Sequence, residues 1–103
     1  GVVLSNLNRQ QEAIEAFDSA IKLKPDVSLT WYQKGIALCK LNRHEEALGA
    51  LDQAVNFNPD DYMAWYNIGV SLDSLDHHEE AIKAYAKSTK IKFGDNMTGD
   101  SSD

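Results

Sequence analysis

The sequence predicts an all-α chain built as a stack of antiparallel helix pairs, and three observations carry that prediction. Residues return at a fixed spacing: Trp31, Gly35, Leu38, Leu41, Ala47, Leu51 and Ala54 are answered 34 positions later by Trp65, Gly69, Leu72, Leu75, Ala81, Tyr85 and Ser88. The same shift backwards reaches Gly1, Leu4, Leu7, Ala13, Phe17 and Ala20, with Pro25 answering Pro59. Within each period, apolar residues fall at helical spacing, as in Ala13, Ile14, Phe17, Ala20 and Ile21, which makes one broad apolar stripe. The polar segments Asn8-Arg9-Gln10, Asn42-Arg43-His44 and Asp76-His77-His78 are short enough to force the helices on either side to run antiparallel as neighbours.

Taken in order, residues 1–7 read as the second half of a first helix, because Gly1 falls in the register of Gly35 and Gly69. The seven repeat positions ahead of Gly1 are not in the sequence, so either the chain is a piece cut from a longer array, which is the preferred reading, or Gly1 is an added residue that happens to fall in register. A turn is expected at residues 8–10, followed by a helix from Gln11 to about Leu23, which Pro25 closes by disfavouring helical geometry at Lys24. Ser28 to Leu41 and Arg43 or His44 to Phe57 form the next pair, ended by Asn58 and Pro59. Asp61 or Tyr62 to Leu75 and His77 or His78 to about Lys92 form the last, giving six expected helical segments. Glycine costs about 1 kcal/mol relative to alanine in a helix interior, so Gly35 and Gly69 require a compensating close approach, expected to be against the small residues Ala47 and Ala81.

The order Trp-x2-(Lys or Ile)-Gly-x2-Leu, then Ala-x3-(Phe, Leu or Tyr), then Pro, at a period of 34, resembles the tetratricopeptide repeat. The resemblance runs from residue 1 to about residue 93. It implies a right-handed superhelix with a partial repeat at 1–27, full repeats at 28–61 and 62–93, and a tail at 94–103. Ser88, Thr89 and Phe93 stand where the middle repeat has Ala54, Val55 and Pro59. Such a loss of apolar character on an outer face is expected where an array ends. The tail, GDNMTGDSSD, has one large apolar residue, Met97, and is expected to be disordered.

Composition narrows the function. The net charge is -6, from 16 acids against 10 lysines and arginines, so nothing is available to neutralise phosphates and neither nucleic acid nor a membrane surface is an expected partner. No apolar run approaches a membrane span and no secretory signal is visible. The single cysteine, Cys39, fits a reducing compartment, and a cytoplasmic location is expected. No nucleophile, base and acid combine into a catalytic set, so no enzyme activity and no cofactor are expected. His44, His77 and His78 lie in turns without the one-turn spacing of a metal pair, and the acids beside them suit a helix N-terminus, so no metal is expected either.

In the resembled family the first helix of each pair lines the concave side, and its non-core positions contact partners. Carried over by register, these are Leu29, Tyr32, Gln33, Ile36, Cys39 and Lys40 in the middle repeat. The third repeat supplies Met63, Tyr66, Asn67, Val70, Asp73 and Ser74, and the starting half helix supplies Val2, Ser5 and Asn6. Tyrosine gives rigid contact area with a polar tip and methionine gives an adaptable surface, a mixture suited to another protein's peptide or helix. Some family members clamp an acidic carboxyl terminus with Lys, Asn and Arg here. Asn67 matches one clamp position, but Tyr32 and Ile36 replace the lysine and asparagine of the preceding repeat, so a clamp is not expected. Two alternatives stand beside this reading: a regulatory or substrate-selecting arm of a larger enzyme, and a fragment that self-associates into homo-oligomers through its exposed repeat ends.

Overall fold

The computed structural model describes residues 2–94, with side chains from residue 8 onward; the expected tail beyond Gly94, including Met97, lies outside the described residues. Among these residues there are five α-helices and no strand: α1 Val2–Leu23, α2 Ser28–Lys40, α3 His44–Phe57, α4 Tyr62–Ser74 and α5 His78–Phe93. Each helix packs on its neighbours in sequence, and α2 also reaches α4. The result is the all-α solenoid of antiparallel pairs that the period predicts.

The turns within the pairs have one design. Asn42 and Asp76 adopt φ of 61° and 67°, the left-handed region that asparagine and aspartate tolerate better than most residues. In the first turn the Asn42 N–H bonds the Cys39 carbonyl and the Arg43 N–H bonds the Leu38 carbonyl; in the second, Asp76 and His77 repeat this on Asp73 and Leu72. The carbonyls left over at the end of each first helix are satisfied in this way, which lets the chain reverse in three residues.

The start of the chain differs from expectation. Residues 8–10 form no turn; they lie inside the continuous helix α1, so five helices replace the expected six. Leu7-Asn8-Arg9 is identical to Leu41-Asn42-Arg43, so the tripeptide does not itself dictate the reversal. A turn is held by the packing of the two helices it joins, and in α1 the stretch ahead of Asn8 is not folded back on the stretch behind it. Continued helical hydrogen bonding then wins.

Two apolar clusters run through the stack. Ile14, Ala37, Leu38, Ala47 and Ala50 form one, with Phe17 and Trp31 against it. Leu51, Ala54, Ala64, Ile68 and Ala84 form the other, with Trp31 and Trp65 at its edge. The mid-helix glycines are explained differently from the sequence reading. A Cβ on Gly35 would sit 2.7 Å from Leu51 Cγ and 3.5 Å from the Ala47 carbonyl oxygen, and one on Gly69 would sit 2.6 Å from the Tyr85 ring. Each glycine therefore makes room for a large side chain of the paired helix rather than meeting a small one. Ala47 and Ala81 are buried all the same.

The periodic Trp and Pro positions are also linked. The Trp31 indole N–H donates to the Pro25 carbonyl at 2.7 Å, and Trp65 donates to the Pro59 carbonyl at 2.9 Å. Each tryptophan thereby ties the first helix of a repeat to the linker before it, while Lys34 and Lys87 lie over the two rings at 5.6 and 5.8 Å.

Candidate functional site

The first helices α2 and α4 lie side by side, so positions separated by one period form a ladder across them. Leu29 and Met63 begin this ladder, 59% and 46% exposed, and Tyr66 is 51% exposed. Tyr66 leans on Tyr85 of α5 with ring centroids 5.5 Å apart, which fixes its direction from below.

Asn67 joins the rungs. Its amide donates to the Met63 carbonyl at 2.9 Å and more weakly to the Tyr32 hydroxyl at 3.5 Å. Tyr32 is half-buried, and burial first, then the nearby Asp61 charge, push its phenol above the usual value of 10.0, with the Asn67 bond opposing. It is therefore a neutral hydroxyl at physiological pH, with capacity left to donate to a ligand. Ile36, Cys39 and Val70 are half-buried between these residues, and Gln33 and Lys40 are exposed beside them.

Cys39 is a free thiol with its sulfur 3.2 Å from the Ser71 hydroxyl. Ser71 is fully buried and takes the place that Ala37 holds one repeat earlier, so the pair adds one polar contact between α2 and α4 to an otherwise apolar layer. Asp73, at the far end of the ladder, is drawn to the α4–α5 turn, where its carboxylate bonds His78 Nδ1. The other ring nitrogen of His78 is 3.5 Å from Asp76, and His77 is 3.8 Å from Glu80. The two adjacent histidines thus go to different carboxylates, and among the described residues no three metal-ligating side chains converge. In the preceding repeat Cys39 replaces Asp73, and His44 Nδ1 is buried with no partner.

On the α1 side of the ladder, α1 and α2 flank an open groove of about 300 Å³. Tyr32, Gln33, Ile36 and Lys40 line it from α2, together with Gln10, Ala13 and Phe17 from α1. The α1 residues were not among those the sequence assigned to the groove. Their signal was present: Ala13 and Phe17 hold the positions of Ala47 and Leu51, whose side chains are covered by α2 in the next repeat.

The periodic geometry agrees with sequence profiles. A tetratricopeptide repeat profile matches residues 32–95 and a second matches residues 1–27. The chain belongs to the tetratricopeptide repeat family. Among curated proteins none matches it in sequence. Solved structures of MamA share the fold. One, MamA AMB-1, has a TM-score of 0.80 at 22% identity, covering 84% of this chain and 52% of that one. Another MamA crystal structure gives 0.82 at 22% identity over 86% and 52%. MamA 41-end from Desulfovibrio magneticus RS-1 gives 0.76 at 33% identity over 88% and 51%. The chain spans about half the length of these structures. As a tetratricopeptide repeat it has the architecture of a protein-interaction scaffold, and among the described residues no helix is long and apolar enough to cross a membrane.

Proposed function

We propose that the chain is an interaction module that takes a peptide or helical segment of a partner protein along the ladder formed by α2 and α4. The observation that carries this reading is the solvent exposure of Leu29, Met63 and Tyr66, large side chains set on rigid helices. An anchor group of the partner enters between α1 and α2 beside Tyr32 and Ile36. Met63 and Tyr66 then supply the apolar contact for the rest of the segment, and the amides of Gln33 and Asn67 supply hydrogen bonds to its backbone. Lys40 at one end favours a partner with an acid near its anchor.

Selection of a random peptide library on the immobilised protein tests this. Peptides selected on the parent should lose at least tenfold in affinity for Tyr66→Ser and for Ile36→Asp, and should keep it for Ile82→Ser, on the far side of the last helix. Selected peptides that bind all three variants equally would place the site elsewhere.

A further inference from the structure

Leu-Asn-Arg occurs twice, at residues 7–9 and 41–43, one period of 34 apart. At the second occurrence the chain leaves the helix through Asn42, at φ 61°, and reverses; at the first it runs straight on within α1. One tripeptide therefore adopts two conformations in the same molecule. Asparagine tolerates both, since it is a modest helix residue and is among the few that enter the left-handed region readily. What separates the two states is whether the segment ahead of the asparagine packs against the segment behind it.

The place where that packing would occur is open. The groove of about 300 Å³ between α1 and α2 is lined by Ala13, Phe17, Tyr32 and Ile36. One period on, the residues equivalent to Ala13 and Phe17 are Ala47 and Leu51, both fully buried, and α2 lies over them with Gly35 against Leu51. The occupant of such a groove is therefore visible in the same molecule: a first helix whose glycine faces the large residue of the second. Residues 1–7 carry this register at the start of the chain, Gly1, Leu4 and Leu7 answering Gly35, Leu38 and Leu41. Residues 2–7 are helical and run straight on within α1 instead of folding back.

A helix hairpin opened in this way has one simple partner. If two copies of α1 lie antiparallel with a two-fold axis near residues 8–10, the leading segment of each runs beside the trailing segment of the other. Every contact of a closed hairpin is then made between chains. At 1.5 Å rise per residue, the 22 residues of α1 reach about 33 Å, long enough for both halves. We propose that the chain forms a two-fold dimer by exchanging residues 2–7, each copy laying this segment into the α1/α2 groove of the other. The exchange is reciprocal and closes at two copies. It does not rest on the reading of the α2/α4 ladder as a partner site, but the exchanged segment covers Tyr32 and Ile36, so dimer formation competes with any ligand anchored there.

The test is molar mass by light scattering on the full chain from micromolar to millimolar, for the parent, Asn8→Gly and Asn8→Ala, with circular dichroism confirming helix content. The parent mass is expected to rise to two copies and stop. Glycine at position 8 favours the turn and closes the hairpin on itself, so Asn8→Gly should weaken the dimer several-fold, whereas Asn8→Ala favours the straight helix and should tighten it. A residue near the two-fold axis meets its own copy: Arg9→Cys in a Cys39→Ser background should give a disulfide-linked dimer on mild oxidation, and Gln53→Cys in that background should not. A monomer mass at millimolar concentration overturns the proposal. So does a mass that climbs past two copies, or a dimer indifferent to both substitutions at Asn8 and not linked through position 9.

Discussion

The Ser88 hydroxyl donates to the Tyr62 carbonyl at 2.7 Å, and this contact mirrors one a repeat earlier with donor and acceptor helices exchanged. There the Ser28 hydroxyl, on the first helix, donates to the Ala54 carbonyl on the second at 2.8 Å. Ser28 and Tyr62 are equivalent positions, as are Ala54 and Ser88. Each pair of helices thus keeps one hydroxyl at the same crossing, supplied from either side. Ser88 is 7% exposed, so its polarity faces inward and is no mark of an array ending on an outer face.

Ser88→Ala should therefore cost about 1 kcal/mol, the usual net worth of a buried neutral hydrogen bond. Ser28→Ala should cost a similar amount. The two bonds share no partner, so the double variant should show the sum of the single effects. Urea unfolding of the three variants measures this; a Ser88→Ala variant as stable as the parent would show that the crossing does not need its hydroxyl.

Three glycines in helices give a graded set. Gly35 and Gly69 abut Leu51 and Tyr85 below 3 Å, whereas Gly49 has nothing within 4 Å of where a Cβ would be. Alanine at 49 should stabilise by about 0.5–1 kcal/mol through helix propensity. Alanine at 35 or 69 should destabilise by about 1–3 kcal/mol through overpacking. Thermal melts read both signs.

Ala47 is fully buried beneath the crossing and Gln53 of the same helix is exposed. Ala47→Leu should cost about 1–3 kcal/mol, and Gln53→Leu should change the melting temperature little. Equal effects at the two positions would contradict the register of α3.

The Arg43 guanidinium bonds both carboxylate oxygens of Glu46, at 2.8 and 2.7 Å. This bond, more than any other influence, holds the Glu46 carboxyl below its usual 4.5. A depressed value in the folded state means stability that is present above the unfolded value and lost as pH falls through the folded one. Since both groups are exposed, the effect on stability is small, and the site itself is the better reporter. An NMR titration of the Glu46 side chain should have its midpoint below 4.5, and Arg43→Gln should move it upward.

The stack of helix pairs was legible because Trp31/Trp65, Gly35/Gly69 and Pro25/Pro59 repeat in one register, each for a reason the structure supplies: an indole bond, a close crossing, a helix end. The turn at Asn8 was misread because local sequence is the same as at Asn42, and only packing distinguishes them. Ser88 was misread because a hydroxyl donating inward and one facing water look alike in a sequence. Of the groove residues, the register placed Tyr32, Ile36, Met63 and Tyr66 on adjoining helices. It missed Phe17 and Ala13, because a second-helix residue lines a groove only where no first helix covers it. The register places Asp73 on the groove helix but does not reveal that its carboxylate bonds His78 of the following turn.

Ile14, Leu48 and Ile82 occupy one position in three successive second helices, and their exposure rises along the chain: 5% for Ile14, half-buried for Leu48, 65% for Ile82. The first helix that follows covers Ile14 and Leu48, and among the described residues none follows α5, which packs only on α4. In a structure held by nearest neighbours alone, this sets an order of opening. Opening of α5 should leave α2 and α3 undisturbed, so its amides are expected to exchange with solvent fastest among those of the paired helices. Any helix that comes to lie over Ile82 slows that exchange first in α5, and a time course of deuterium uptake in this one helix becomes a direct gauge of whether the end of the stack is occupied.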